Sequence, residues 1–155
     1  MWAFICLSIN AQAHKEKREK FSIQERRINE YYMLADSCLN NDNYSEAIVY
    51  STKGVAEVKN IKKNKNRYYD FKIIEVMAYM SLNEYNFALS ILEDLEKLSL
   101  SSWHVAMIYW NKFYCYSEIE ERDNAISYAQ KCFSIIEDYE DTADIVLSLK
   151  QGVAK

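Results

Sequence analysis

No proline occurs anywhere in the chain, and only two glycines do, Gly54 and Gly152. Tight β-turns reach their special backbone angles through Gly and Pro. A sandwich or barrel needs many such turns, and a phosphate-cradling loop needs clustered glycines. The chain has almost no means of building either. What remains is helices joined by turns made of Asn, Asp and Ser. Half of the 155 residues are apolar, enough to bury a core and too many for a disordered chain.

Met1 to Ile9 is apolar except for Ser8, and the small-x-small triplet Ala11-Gln12-Ala13 follows. The abruptly charged stretch His14 to Lys20 comes next. This is the pattern of a secretory signal peptide, although no basic residue precedes the apolar run. The run is too short to span a bilayer, which takes about 20 residues. Residues 1–13 are therefore expected to be a leader, 14–21 a charged segment and 22–155 the folded domain, secreted or periplasmic. The other reading of 1–13 is a docked helix in a cytoplasmic protein. Cys38, Cys115 and Cys132 lie outside the leader and have no CxxC spacing. They point to neither a zinc site nor a disulfide framework; one bridge, Cys115–Cys132, is conceivable if their helices are adjacent.

Helical spacing of apolar residues is clearest at Phe87, Ala88, Ile91, Leu92, Leu95 and Leu98. It recurs from Tyr44 to Val58 and from Ala125 to Ile136, each time after another helical stretch, at about 22–40, 68–82 and 102–119. Asn40 to Asn43, Asn83 and Ser101-Ser102 are candidate N-caps. A seventh helix is expected near Thr142. Superposing Ala47, Ala88 and Ala125 aligns Tyr44, Tyr85 and Arg122 three residues earlier. It also aligns Cys38, Tyr79 and Tyr116, and Ala35, Val76 and Phe113. Self-similarity of this kind marks a repeat architecture.

These residues resemble the tetratricopeptide repeat, in a divergent bacterial secreted form. Tyr31, Leu34 and Ala35, Tyr44-Ser45-Glu46-Ala47, Tyr79 with Tyr85 to Ala88, and Tyr109, Tyr116 and Ala125 stand at its structural positions. Asn43, Asn83 and Glu120 replace its turn glycine. The alanines are 41 and then 37 residues apart, against about 34 in the standard repeat. The extra length falls in the basic stretch Lys59 to Arg67. The resemblance implies an all-α superhelix of about seven helices, with repeats at about 22–60, 66–100 and 102–138 and the start of a fourth pair at 141–155. It implies a protein- or peptide-binding scaffold whose concave groove is lined by Tyr32, Asp36, Leu39, Asp70, Ile73, Met77, Met107, Trp110 and Tyr114. Chains of this look resemble the sensory part of membrane-anchored bacterial regulators.

No catalytic set is legible. His14 and His104 lack a zincin partner, the carboxylate runs have no calcium-loop glycine, and no cofactor or metal is expected. The net charge of −4 argues against general nucleic-acid binding. The charge is uneven, with twelve Lys/Arg against eight Asp/Glu from His14 to Arg67 and seven against fifteen thereafter. The alternatives are a cytoplasmic assembly adaptor, or a module that stacks its tyrosines on sugars or bases.

Overall fold

The computed structural model describes residues 23–137, and they are all-helical. Six helices follow one another: α1 at 23–40, α2 Tyr44–Glu57, α3 Lys65–Ser81, α4 Tyr85–Glu96, α5 Ser102–Glu118 and α6 Arg122–Ile136. The expected leader, the segment 14–21 and the seventh helix near Thr142 lie outside the described residues.

Each helix packs on the next in sequence. The interior is three consecutive clusters, each using the α-helical stripe of its elements. The first joins Ala35 of α1 and Ala47 of α2 to Ile74 and Ala78 of α3. The second joins Val76 of α3 to Ala88, Leu92 and Leu95 of α4 and to Ile108 and Cys115 of α5. The third joins Phe113 of α5 to Ala125, Ala129, Cys132 and Ile136 of α6. Ala35, Ala47 and Ala88 are wholly buried and Ala125 nearly so, as expected where helices cross too closely for a larger side chain. Leu92 and Leu95 are wholly buried as well, each worth about 1.5–3 kcal/mol relative to exposure. At Gly54 the approach is closer still: a Cβ there would lie 2.1 Å from Cε1 of the buried Phe71 ring.

α1, α3 and α5 end in one and the same way. Asp42, Asn83 and Glu120 adopt positive φ, at 60°, 61° and 62°. The next amide bonds back to the carbonyl five residues earlier: Asn43 to Cys38 at 2.9 Å, Glu84 to Tyr79 at 2.8 Å and Glu121 to Tyr116 at 2.9 Å. These are three Schellman caps in equivalent positions, built without glycine. The residue standing for the turn glycine in the first hairpin is thus Asp42, not Asn43. Asn83 ends α3 instead of capping α4, and the N-cap positions Asn43 and Glu84 make no side-chain cap. Ser101 does cap α5, accepting from the His104 amide at 3.4 Å. The basic stretch is shorter than the sequence suggests, because Lys65 to Arg67 form the first turn of α3. Cys115 and Cys132 are both free and buried, with no bridge between them.

Candidate binding groove

The first helices of the three hairpins, α1, α3 and α5, lie side by side, and the contacts between them recur. Arg67 of α3 donates to Asn29 of α1 at 2.9 Å. One hairpin on, the ring of His104 of α5 lies 4.3 Å from that of Tyr69 of α3, and burial raises the neighbouring Asp70 carboxyl, with Arg67 and then His104 opposing. Asn29 and Asp70 are equivalent under the alanine superposition, and so are Arg67 and His104. The turn tyrosines repeat in the same manner. Tyr44 donates to Asp42 at 2.6 Å and meets Ser81 at the end of α3. Tyr85 donates to Asn83 at 3.0 Å or to Glu118 at the end of α5, 3.4 Å away.

Three of the nine expected groove residues form one electrostatic group. Burial raises the Tyr32 phenol above its ordinary value, Asp70 and Asp36 raise it further, and Arg67 opposes them. The Asp70 carboxyl is raised by burial, with Arg67 and His104 opposing. Asp36 accepts from Asn40 at 3.2 Å, while no hydrogen bond or salt bridge engages Asp70 among the described residues. Met77 and Tyr114 are exposed; Tyr114 has Tyr85 as its ring neighbour, 6.5 Å away. Leu39, Ile73, Met107 and Trp110 are half-buried against the three core clusters, and Trp110 meets Phe113 at 5.7 Å. Tyr32 is itself edge-on to Phe71 at 5.8 Å.

Sequence reasoning missed Arg67 and His104. Arg67 looked like part of a solvated loop. His104 looked isolated, yet its ring lies 4.3 Å from that of Tyr69, and its Nδ1 is 2.7 Å from Ser101 Oγ. Ser101 is occupied as the helix cap, so this pair is a structural one. Burial, with a smaller contribution from Asp70, pushes the Tyr69 phenol up to about 12.

Two buried charges were missed as well. Glu75 of α3 accepts from Lys72 at 2.6 Å and lies 3.1 Å from Ser51 Oγ of α2. Ser51 also reaches the Phe71 carbonyl at 2.7 Å. Lys112 of α5 is 1% exposed. It donates to Glu96 of α4 and, at 3.2 Å, to the Tyr128 hydroxyl of α6. Burial pulls the Lys112 ammonium down, but the bonds from Glu96 and Tyr128 outweigh it and leave the group above its ordinary value. Tyr128 stacks on Tyr116 at 5.5 Å and lies under Lys131 at 4.3 Å.

Elsewhere, an open cleft of about 280 Å³ between α4 and the α5–α6 turn is lined by Asn86, Ser90, Glu93, Tyr116 and Glu121 among others. Among the described residues no group of three His, Cys, Asp or Glu is placed to hold a metal ion, and no helix is long and apolar enough to cross a membrane. Comparison with protein-family models, with curated proteins and with solved structures returns no match to this chain.

Proposed function

We propose that the chain is a protein- or peptide-binding scaffold of the tetratricopeptide kind, which holds a partner segment along the face formed by α1, α3 and α5. The observation that supports this reading is that successive first helices meet through equivalent residues, Arg67 of α3 on Asn29 of α1 and then His104 of α5 on the Tyr69 ring of α3. Stacked hairpins of this sort present an extended concave surface. On it Asp36 and Asp70 supply charge, and Met77 and Tyr114 supply exposed apolar area. Tyr is a frequent interface anchor, and Met adapts to varied partners. The reading gives the chain no catalytic role. With residues 1–13 as a secretory leader, the scaffold works outside the cytoplasm, as a sensory module of a larger bacterial regulator would.

The test is affinity capture from an extracytoplasmic extract with the chain beginning at His14, unmodified and as the double variant Asp70→Asn/Tyr114→Ala. Tyr114 is exposed and Asp70 is half-buried with no hydrogen bond to lose among the described residues, so folding should be retained, and circular dichroism checks this. Loss of captured proteins is the expected result; equal recovery removes the groove reading. N-terminal sequencing of protein made in a secreting host tests the leader, and an intact Met1 contradicts it.

A further inference from the structure

Where the third hairpin stacks on the second, the surface carries the cleft of about 280 Å³ between α4 and the α5–α6 turn. Its floor is apolar and aromatic: Leu89 is buried, and Ile119 and Tyr116 are half-buried. Its rim is polar and exposed, with Asn86 and Ser90 beside the carboxylates Glu93 and Glu121. Tyr116 stands two residues from the groove residue Tyr114, about 200° round α5. The cleft and the proposed groove therefore use different sides of that helix. Stacking of one hairpin on the next does not require this chemistry. The same positions one hairpin earlier include Ile48, Val49, Thr52 and Leu82. There Thr52 turns to Glu75, 3.4 Å away, and Phe87 stacks on Tyr79 at 5.4 Å. In the later hairpin Ser90 stands for Val49, Glu93 for Thr52 and Asn124 for Phe87, while Glu121 matches Glu84. The later interface is thus polar and acidic where its counterpart is apolar.

We infer that this cleft seats a cationic group on a short apolar stem, the shape shared by an arginine or lysine side chain of a partner and by a small free amine or guanidine. The stem lies on Leu89 and Ile119. The charged head sits between Glu93 and Glu121 and against the Tyr116 ring, whose π-system attracts cations. The side-chain oxygens of Asn86 and Ser90 can accept further N–H groups. Both carboxylates have capacity to spare. Glu93 makes no hydrogen bond or ion pair among the described residues, and Lys97, one turn on, is held by Asp94 at 2.8 Å. Glu121 accepts from Asn124 through one oxygen, at 2.5 Å, which leaves the other. The chain's own cations are engaged elsewhere or set apart: Lys112 is bound to Glu96 and Tyr128, and Arg122 does not line the cleft. Both acids act on the same ring. Burial raises the Tyr116 phenol above its ordinary value, Tyr128 adds to this, Lys112 opposes, and Glu93 and Glu121 raise it further. The aromatic cluster behind Tyr116 already holds a cation, with Lys131 over the Tyr128 ring at 4.3 Å. The cleft falls just below the roughly 300–1,000 Å³ of sites for drug-sized molecules, which suits a single side chain.

Amide NMR titration of the full chain tests this. The probes are butylguanidine, the blocked tripeptide acetyl-Gly-Arg-Gly-amide and, as a control of opposite charge, butyrate. The expected result is saturable shifts with the cations, confined to amides near Asn86 to Glu93 and Tyr116 to Glu121, and none with butyrate. Binding should be weak, since exposed ion pairs each contribute little, and weaker still in added salt. Glu93→Gln should weaken it, and Glu93→Gln/Glu121→Gln should abolish it with the rest of the spectrum unchanged, because both side chains are exposed. Shifts with both cations identify a protein side chain as the occupant; shifts with butylguanidine alone identify a small free molecule. The inference is overturned by no saturable shift with either cation, by equal shifts with butyrate, or by binding undiminished in the double variant. None of these outcomes depends on the groove.

Discussion

Glu75 on α3 and Lys112 on α5 occupy equivalent positions in successive hairpins, and both are buried charges turned towards the helix before them. One is an anion that meets hydroxyls and a lysine; the other is a cation that meets a carboxylate and a phenol. The fold tolerates either sign at this position provided that the partners are supplied from neighbouring helices. Removing one partner of a buried pair costs several kcal/mol, whereas replacing the pair by apolar groups can be neutral.

That asymmetry makes a prediction for Lys112. Glu96→Ala strands the ammonium and should lower stability by about 2–4 kcal/mol, softened because Glu96 is itself partly exposed. Lys112→Met, which leaves no buried charge and fills much the same volume, should cost less than half of that. Urea unfolding at neutral pH measures both; equal losses would show that the pair itself is the source of stability.

Gly54 lies inside α2, where alanine is ordinarily the better residue by about 1 kcal/mol. Here the added methyl meets the fully buried Phe71 ring, which has no room to withdraw. Gly54→Ala should therefore destabilise by about 1–3 kcal/mol, the usual range for overpacking. Combining it with Phe71→Leu should recover part of the loss. A stabilised Gly54→Ala protein would mean that α2 and α3 are further apart than described.

Glu120 adopts φ 62° with no side-chain compensation of the kind that Asp42 and Asn83 draw from their tyrosines. The left-handed region costs such a residue about 1–2 kcal/mol. Glu120→Gly should raise the thermal midpoint, with a gain of about 0.5–1 kcal/mol once the greater freedom of the unfolded glycine is subtracted. Asn83→Gly should gain less.

Alkaline pH should weaken the fold for a stated reason. Burial pushes the Cys115 thiol up to about 12 and the Cys132 thiol to about 11, from an ordinary 9.0. It pushes the Tyr69 phenol to about 12 from 10.0. The folded state therefore holds these protons longer than the unfolded chain does. Their contribution is complete below about pH 9 and declines as pH rises towards the folded values. Urea midpoints should be flat from pH 7 to about 9 and fall above that, and Cys115→Ala should flatten the decline. A midpoint that rises above pH 9 contradicts the burial of these groups.

The helices were legible because apolar spacing at 3.6 residues survives any amount of surface divergence. The turns were read one residue out in the first hairpin because Asn40, Asn41, Asp42 and Asn43 all tolerate positive φ; which of them adopts it depends on where the last turn of α1 closes. Tyr32, Asp36 and Asp70 were placed on one face by the repeat alignment alone. Glu75 and Lys112 were not legible, since a charge on a helix reads as solvent-facing until the neighbouring helices are in place. Arg67 and His104 escaped notice for a related reason: each gains its meaning from a residue more than thirty positions away.

The segments before α3 and α5 differ in length, 58–64 against 97–101, yet Arg67 and His104 arrive at the same place on the preceding hairpin. Spacing between hairpins is thus slack, while spacing within each is rigid, clamped by the three caps. The chain behaves like cassettes on a loose thread. Residues added around Ile61 to Lys63 should merely lengthen a surface loop. One residue added between Leu39 and Tyr44 would rotate every later side chain of α2 by about 100° and turn Ala47 and Ser51 out of the core.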